Sequence, residues 1–408
     1  MSITQAPKDF QTLFLDMNSF FASVEQQVQP TLRGVPIGIA PYTGDSGCII
    51  AASKEAKASG VRIGRIGEMK KICPKIKIIE SRPALYMIYH KEIIKVIESF
   101  TPYYKPLSID EFIVRLTSSE QNKVAAEKMG NEMKKAIKEK VGDYLTCSIG
   151  IGPSRFLAKM AGERKKPDGL TVVELKDLKD FYSQLKLTDL TGINYRMETV
   201  LKNFKINSPS ELFNCSLPHL QSILKQWGRV WYFRLRGYEV DDFEIKNKTI
   251  GHSHVLPPHL RSIDGAKSVI EKLIFKAGFR LRKEKYRASG VSVGICFYGG
   301  SGFHKAKRVE RFCDNQSFSR HVREILKECR WRNNPGYVSV AAFGLVKQAG
   351  AQISIFSEIE REIKLSRAVD LINDEFGAGT IFPASMFLAK EDAPDRIPFG
   401  KPRYEIIN

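Results

Sequence analysis

The chain has 408 residues, with 64 lysines and arginines against 45 aspartates and glutamates, which leaves a formal net charge of +19. Its length suffices for about two to four domains, and so large a positive charge indicates a polyanionic partner: DNA, RNA or an anionic membrane surface. The alternative is a solvated surface with a basic bias. No run of about 18 apolar residues is present, which excludes a membrane-spanning helix, and residues 1–10 are too polar for a signal peptide.

The seven cysteines are dispersed, and none forms a C-x-x-C pair. Most of them lie in apolar stretches, where cysteine behaves as a small hydrophobic residue. This usage favours a reducing, cytoplasmic location and argues against a structural zinc site.

The first half of the chain predicts alternating strands and helices. In chain order these are a buried strand at 12–15, a helix at 84–100, two short strands at 106–109 and 112–116, a helix at 120–140, a strand at 145–151, a helix at 153–162 and a strand at 170–173. The order is βαββαβ, which predicts a ferredoxin-like α/β sheet covered by helices on one face.

Other segments interrupt and extend this layout. Residues 20–82 predict a small subdomain, in which Ser53 caps a helix that stops at Gly60. Residues 175–243 predict short helices, and the sequence LTGI at 190–193 is either a turn that presents backbone amides to phosphate or an ordinary helix junction. After a polar linker, residues 263–345 repeat the βαββαβ architecture without a sequence repeat, and a further helix is expected near 362–375.

Three carboxylates stand at the ends of predicted strands. Asp16 follows the first buried strand, and Asp110 and Glu111 separate two short apolar runs. Neighbouring residues on a flat strand point to opposite faces, so both can serve one site only if the chain turns there, as at a hairpin tip. Carboxylate oxygens suit Mg²⁺ or Mn²⁺, and two such ions about 4 Å apart can promote phosphoryl transfer. The alternative for an Asp-Glu pair is a solvated loop.

Three motifs in the expected order resemble those of the Y family of translesion DNA polymerases. They are FLDMNSFFASVE at 14–25, SIDE at 108–111, and SIGIG at 148–152 followed by LAKMA at 157–161 and KKPDGL at 165–170. The resemblance runs over roughly residues 10–358. Within the family it is nearest to bacterial DNA polymerase IV and the polymerase V catalytic subunit, and Asn18 with IGHSHVLP at 250–257 favours the latter.

The resemblance implies a right-hand polymerase. The expected parts are a palm at 1–19 and 83–174, fingers at 20–82, a helical thumb at 175–243, a linker at 244–249, a little finger at 250–347 and a C-terminal segment at 348–408. It assigns Asp16, Asp110, Glu111 and the backbone carbonyl of Met17 to two Mg²⁺ ions, with Mn²⁺ as a substitute.

The resemblance also assigns nucleotide contacts. Phe21 corresponds to the steric gate, a ring packed beneath the sugar that leaves no room for a 2′-hydroxyl and so excludes ribonucleotides. Its neighbour Phe20 is grouped with the nucleotide site, although a core position is expected for its ring. Lys166 corresponds to a lysine that contacts the triphosphate; the alternative is a solvated charge.

The fingers helix departs from the family pattern. Lys54 and Lys57 stand where a Tyr and an Arg usually grip the triphosphate, and their i,i+3 spacing places them on one helix face. Positive charge is kept, but the bidentate guanidinium is lost. The residues after Glu111 are FIVR at 112–115, where the family usually shows an aromatic-Leu-Asp pattern. The missing acid is not one of the metal ligands, and we interpret its loss as structural drift.

Basic residues cluster in the predicted little finger. Such groups contact phosphates and position a duplex without reading its sequence, although any single one is more often a solvated charge. The predicted DNA contacts are Arg280, Arg282, Lys283, Lys285, Arg287, Lys305, Lys307, Arg308 and Arg311.

A short peptide after this region resembles the sliding-clamp motif of bacterial polymerases. Its Gln would hydrogen-bond and its Ile and Phe side chains would fill an apolar cleft; the alternative is a strand end packed on its own domain. The peptide is Gln352, Ile353, Ser354, Ile355 and Phe356.

These observations favour an enzyme that adds deoxynucleotides to a primer on damaged templates, with low fidelity and without an exonuclease domain. Its expected partners are primer–template DNA, deoxynucleoside triphosphates and the sliding clamp, and it is expected to act as a monomer away from membranes. A catalytically inactive, polymerase-shaped accessory protein is the main rival, suggested by Lys54, Lys57 and Arg115. An RNA-binding or RNA-synthesising protein is disfavoured by Phe21.

Overall fold

The computed structural model of the chain describes residues 6–45, 47–241, 249–331, 333–347 and 357–393. The chain forms two compact units, residues 1–243 and 244–395. The clamp-like peptide at 352–356 lies outside the described residues, and the division into palm, fingers, thumb and little finger stays a prediction. No helix in the described ranges is both long and apolar enough to cross a membrane.

The first unit contains ten strands and eleven helices in its described part. The strands are β1 (Thr12–Met17), β2 (Ile37–Ala40), β3 (Cys48–Ile49), β4 (Ala51–Ala52), β5 (Gly64–Arg65), β6 (Lys77–Glu80), β7 (Tyr104–Pro106), β8 (Glu111–Arg115), β9 (Cys147–Gly152) and β10 (Leu170–Val172). The helices are α1 (Phe20–Val28), α2 (Lys54–Ala58), α3 (Ile66–Ile72), α4 (Pro83–Glu98), α5 (Lys123–Lys140), α6 (Arg155–Arg164), α7 (Leu178–Ser183), α8 (Tyr195–Asn203), α9 (Pro209–Asn214), α10 (Leu217–Leu224) and α11 (Gln226–Leu235).

A five-stranded sheet, the first sheet, has the strand order β10-β9-β1-β8-β7. The strands β1, β7, β8 and β9 with helices α4 and α5 make the βαββαβ unit, so the predicted ferredoxin-like α/β fold is confirmed. The strand β10 extends the sheet by pairing in parallel with β9. In the central strand β1, Leu13, Phe14 and Leu15 are all 0% exposed, because both faces of this sheet are covered.

The prediction that helices cover only one face of the sheet is wrong. Ile149 packs toward Gly130 of α5, whereas its neighbour Gly150 lies against α6. Since successive strand residues point to opposite faces, α5 and α6 lie on opposite sides. A Cβ at Gly150 would be 1.9 Å from the carbonyl oxygen of Ala158, so the absent side chain is what lets α6 approach.

Two peripheral parts complete the first unit. One contains the small sheets β4-β2-β6 and β3-β5 and the helix α2. Ser53 Oγ accepts the Ala56 N–H at 3.2 Å at the start of α2, and Gly60 follows its end with φ of 84°, as the sequence predicts. The other part is helical, from α7 to α11, and buries an apolar cluster of its own that includes α6.

The second unit has five strands and three α-helices in its described part. They are β11 (Thr249–Val255), α12 (Ile263–Lys283), β12 (Tyr286–Phe297), β13 (Gly302–Phe312), α13 (Asn315–Leu326), β14 (Pro335–Phe343), β15 (Val346–Lys347) and α14 (Ser357–Phe376). The order of β11, α12, β12, β13, α13 and β14 is the predicted βαββαβ. The sheet order is β11-β14-β12-β13, so this second sheet repeats the element order of the first sheet but not its strand order.

A histidine supports the hairpin formed by β7 and β8. His90 on α4 is 0% exposed, its Nδ1 lies 2.7 Å from the Ile109 carbonyl oxygen, and its ring stacks on Phe112 at 5.2 Å between centroids. Burial lowers the pKa of His90 from 6.5 to about 4. The neutral ring therefore fixes the backbone just before Asp110.

We expect Gly150→Ala to lower the free energy of unfolding by about 2–3 kcal/mol, because the new methyl group would meet the backbone of α6. Urea unfolding followed by circular dichroism measures this loss. Gly67→Ala in α3 is the matched control, since the atom nearest to its new Cβ would be the Asp45 carbonyl oxygen at 3.4 Å, an ordinary van der Waals contact. Equal stabilities of Gly150→Ala and the parent chain would show that α6 does not pack as described.

The pH dependence of stability tests the buried histidine. With a pKa of about 4 when folded and 6.5 when unfolded, His90 takes up its proton first in the unfolded chain, so its contribution is present above pH 6.5 and is lost as the pH falls. Relative to His90→Gln, the parent chain should lose about 2 kcal/mol between pH 7 and pH 5. Urea titrations at pH 7, 6 and 5 give the difference; parallel curves for the two proteins would contradict the assignment.

Candidate active site

Asp16 and Glu111 face each other across two paired strands. In the antiparallel register of β1 and β8, Asp16 lies directly opposite Glu111, and such partners have Cα atoms roughly 4.5–5.5 Å apart. Asp16 is on the same strand face as Phe14, which lies against α6. The two carboxylates therefore occupy the α6 side of the first sheet, with side-chain exposures of 13% and 23%.

Asp110 reaches the same place from the hairpin turn. The Leu107 N–H donates to the Glu111 carbonyl at 2.8 Å, which closes the turn between β7 and β8, and the Met17 N–H donates to the Asp110 carbonyl at 2.9 Å. Ser108 Oγ donates to Asp110 Oδ1 at 2.6 Å. The chain thus turns at the tip as the sequence requires, and residues 94 positions apart in sequence meet at the end of β1.

Burial makes Asp16 and Asp110 hard to ionise. It raises the pKa of Asp16 from 3.8 to about 6, against the opposing attraction of Lys166. The pKa of Asp110 is raised as well, by burial and then by the charge of Glu111. Like charges this close disfavour one another, so positive charge at the site would stabilise the ionised carboxylates.

Lysines supply part of that charge. Lys166 Nζ lies 3.0 Å from Asp16 Oδ1 and 2.6 Å from Glu163, and Lys159 Nζ lies 2.6 Å from Glu111 Oε1. Lys159 was missed as a functional residue by sequence reasoning, although it stands in the LAKMA motif. The α6 helix that carries it could not be placed on this face of the sheet from the sequence.

The two lysines of α2 have different surroundings. Burial and the charge of Lys166 lower the pKa of Lys57, while the charges of Asp16 and Asp110 act in the opposite sense, so Lys57 lies within electrostatic range of these carboxylates. Lys54 Nζ lies 4.6 Å from the centre of the Tyr144 ring. The Tyr144 hydroxyl in turn donates to Glu55 at 2.9 Å, so the loop that carries Tyr144 contacts this end of α2.

The donor set suits a divalent cation, although it is not assembled as a metal cage. In the described part of the chain, no group of three His, Cys, Asp or Glu side chains stands close enough to hold a metal ion. Asp16 and Glu111 are each bonded to a lysine ammonium instead. Carboxylate oxygens are the hard ligands that Mg²⁺ and Mn²⁺ prefer, so the residues fit such ions.

Phe21, five residues after Asp16, takes part in an aromatic stack. The Phe21 ring lies parallel to that of Tyr86, with 4.5 Å between centroids. Tyr86 is held in turn by Glu25, which accepts its hydroxyl proton at 2.8 Å and also bonds the Arg82 guanidinium. Phe20 is 3% exposed and belongs to the core, so any nucleotide contact there must come from its backbone N–H in the first turn of α1.

Residues 190–193 form the turn before α8. Gly192 has φ of 103°, Ile193 is 5% exposed, and the Asn194 side chain caps α8 by accepting the Met197 N–H at 3.0 Å. This geometry is that of a capped helix junction, and it agrees with a phosphate-binding turn as well.

The basic residues of the second unit differ in their surroundings. Arg282 is 8% exposed and forms a bidentate ion pair with Asp370 of α14, with Arg282 Nη2 2.7 Å from Asp370 Oδ1. It also donates to the Cys313 carbonyl at 2.9 Å. Because this guanidinium is saturated by protein groups, Arg282 anchors α14, and we withdraw it from the predicted DNA contacts.

The hairpin of β12 and β13 divides its basic residues between two faces. Lys305 and Lys307 are paired with Glu328 and Glu324, on the side of the sheet where α13 packs. Arg308 lies opposite Gly290, one residue out of phase with the Val291–Lys307 pair, and so points to the other face. The predicted residues that are exposed are Lys283, Lys285, Lys307, Arg308 and Arg311, whereas Arg280, Arg287 and Lys305 are partly buried.

Comparisons with known proteins cover both units. The model of the impB/mucB/samB family matches residues 15–163, and that of the family's C-terminal domain matches residues 247–355. A DNA polymerase IV of Moorella thermoacetica is 30% identical over 385 residues, 92% of this chain and 96% of the relative. A DNA polymerase IV of Pelotomaculum thermopropionicum is 30% identical over 386 residues, 91% of this chain and 94% of the relative.

Solved structures show the same fold. A Y-family DNA polymerase chimera, Dbh-Dpo4(243-245)-Dbh, matches with a TM-score of 0.71 and 22% sequence identity, covering 82% of this chain and 99% of the other. An insertion ternary complex of Dbh DNA polymerase matches with a TM-score of 0.56 at 23% identity, again covering 82% of this chain and 99% of the other. With family matches in both units and relatives that span nearly the whole length, the chain belongs to the Y family of DNA polymerases, the DNA-directed enzymes of translesion synthesis.

Proposed function

We propose that this chain adds deoxynucleotides to a primer 3′-end opposite damaged templates, using Asp16, Asp110 and Glu111 with two Mg²⁺ ions. The observation that carries the proposal is the hairpin tip, whose backbone bond to Met17 brings Asp110 and Glu111 onto Asp16. Low fidelity and the absence of proofreading are part of the same proposal. They rest on the family resemblance and on the lack of a further acidic cluster in the sequence.

The three carboxylates and the Met17 carbonyl would hold the ions, and Mn²⁺ would substitute for Mg²⁺. When bound, such cations activate the primer 3′-hydroxyl and stabilise the leaving pyrophosphate. Lys159 and Lys166 now share the negative charge of Glu111 and Asp16. We expect both ammonium groups to move off these carboxylates when the ions and the nucleotide enter.

Positive groups around the site would bind the triphosphate. Lys166 contacts Asp16, Lys57 is within electrostatic range of Asp16 and Asp110, and the Lys54 ammonium lies over the Tyr144 ring. The N–H groups in the first turn of α1, Phe20 among them, have no intrahelical partner and favour anions. A lysine offers a point charge rather than a fork, so we expect binding governed by charge more than by geometry.

Partners beyond the nucleotide are also proposals. Primer–template DNA would meet the exposed basic residues of the second unit, with Arg308 and Arg311 better suited than the glutamate-paired Lys305 and Lys307. Sliding-clamp binding by Gln352, Ile353, Ser354, Ile355 and Phe356 rests on their sequence alone. A monomer in the cytoplasm agrees with the dispersed cysteines, each of which is a free thiol.

Primer extension separates the enzyme from its rival, an inactive accessory protein. We expect the parent chain with Mg²⁺ to extend a primer across an abasic site, and Asp110→Ala to lose on the order of a hundredfold or more of that rate. The matched control is Asp180→Ala, an exposed carboxylate on α7, which should extend normally. No extension by the parent chain, with undamaged or damaged template, would support the accessory protein.

Sugar discrimination tests the role of Phe21. Removing the ring in Phe21→Ala opens the space for a 2′-hydroxyl. The ratio of ribonucleotide to deoxynucleotide incorporation should therefore rise by a factor of about 10 to 100. Single-nucleotide insertion kinetics with both sugars give that ratio. Phe204→Ala removes a ring that is 51% exposed at the end of α8 and should leave this ratio unchanged. Equally efficient ribonucleotide use before and after Phe21→Ala would favour an RNA-synthesising protein instead.

A further inference from the structure

Asn18 joins the two segments that carry Asp16 and Lys166. It lies two residues after Asp16, is 9% exposed, and its Oδ1 accepts the backbone N–H of Asp168 at 2.8 Å. Asp168 lies two residues after Lys166. One hydrogen bond therefore ties the end of β1 to the loop at 166–168. Asp16 and Lys166, which form an ion pair, each lie two residues before the residue that makes this bond.

Asn18 is itself held firmly. Its Nδ2 donates to Ser148 Oγ at 2.9 Å, and Thr146 Oγ1 donates to its Oδ1 at 3.2 Å. Its backbone N–H donates to the Thr146 carbonyl at 2.8 Å, and its carbonyl accepts from Ser23 Oγ at 2.8 Å. Because these bonds fix the Asn18 side chain, the position of its Oδ1, which accepts the Asp168 N–H, is fixed as well.

The chemistry of the position favours an amide. An amide both donates and accepts hydrogen bonds, which matches the hydroxyl of Ser148 and the N–H of Asp168. A carboxylate in its place would add a fourth negative charge beside three carboxylates that already disfavour one another. The neutral side chain therefore holds the loop without disturbing the charge balance of the site.

The loop is also held from its other side. Lys134 Nζ lies 3.1 Å from Asp168 Oδ1 and donates to the Asp168 carbonyl. Asp168 has φ of 58°, a left-handed conformation that needs support in a residue other than glycine. With Asn18 and Lys134 on opposite sides, the backbone that carries Lys166 has little freedom.

We propose that Asn18 is a positioning residue for the incoming nucleotide, because it holds the 166–168 loop so that Lys166 stands over Asp16. The inference rests on the proposed function, in which Lys166 binds the triphosphate. Asn18 would act only through Lys166, so removing Lys166 should make Asn18 irrelevant to nucleotide affinity. This dependence distinguishes positioning from a general contribution to stability.

A double-mutant cycle on nucleotide binding tests it. The full chain is bound to a primer–template with a dideoxy-terminated primer and Mg²⁺, and the Kd of the matching deoxynucleoside triphosphate is measured without turnover. Asn18→Ala and Lys166→Met should each raise this Kd about tenfold, while the double variant should be no weaker than Lys166→Met alone. The Kd for DNA should stay within about twofold.

Asn373→Ala is the matched control, since it removes another buried amide, one that bonds the backbone of Ile381 in the second unit, and it should keep the nucleotide Kd within about twofold. A tenfold loss in Lys166→Met with unchanged affinity in Asn18→Ala would overturn this inference alone, as would a double variant whose losses multiply. Unchanged affinity in Lys166→Met would remove the nucleotide-binding role of Lys166, and the inference with it.

A second variant keeps the test decisive if Asn18→Ala does not fold. Lys134→Met releases the same loop without altering the buried amide, since the side chain of Lys134 bonds Asp168. A rise in nucleotide Kd that disappears in the Lys166→Met background supports positioning through the loop. No rise, or a rise that persists in that background, counts against it.

Discussion

The site depends on the backbone bond between the Met17 N–H and the Asp110 carbonyl, which fastens the hairpin tip to the end of β1. A strand by itself delivers neighbouring side chains to opposite faces, so Asp110 and Glu111 can meet Asp16 only because the chain turns at residue 110. Strand register places Asp16 opposite Glu111, and the turn places Asp110 beside them. His90 supports the same tip from α4 through the Ile109 carbonyl, so the core of the first sheet fixes the geometry of the carboxylates.

Charge balance is the second constraint. Burial that raises the pKa of Asp16 and Asp110 disfavours three ionised carboxylates in one place. Lys159 and Lys166 approach from the α6 side because Gly150 lets that helix lie directly on the sheet. Their ammonium groups now occupy positions at the carboxylates, and divalent cations would take over that charge compensation. Asn18 then matters because it sets the position of the Lys166 ammonium when divalent cations replace the lysines at the carboxylates.

The sequence predicted what local patterns and motifs encode. The carboxylates, the βαββαβ order and the cap of α2 by Ser53 follow from strand ends, periodicity and short spacing, and the structure agrees with them. The approach of α6 to the second face could not be predicted, since it depends on a glycine contact between elements. The burial of Arg282 by α14 could not be predicted either. The sequence of a basic cluster is the same whether its charges contact solvent, DNA or an aspartate that is distant in sequence, such as Asp370. Lys159 and His90 lie on helices whose packing partners are remote in sequence.

The most direct test is a crystal structure of the full chain with a dideoxy-terminated primer–template, the matching deoxynucleoside triphosphate and Mn²⁺, with anomalous scattering used to locate the metal. We predict manganese peaks at about 2.0–2.3 Å from carboxylate oxygens of Asp16 and Asp110, with Glu111 bound to one ion and both lysines displaced. Manganese bound elsewhere, with Lys159 and Lys166 still bonded to Glu111 and Asp16, would contradict the assignment of these carboxylates as the catalytic site.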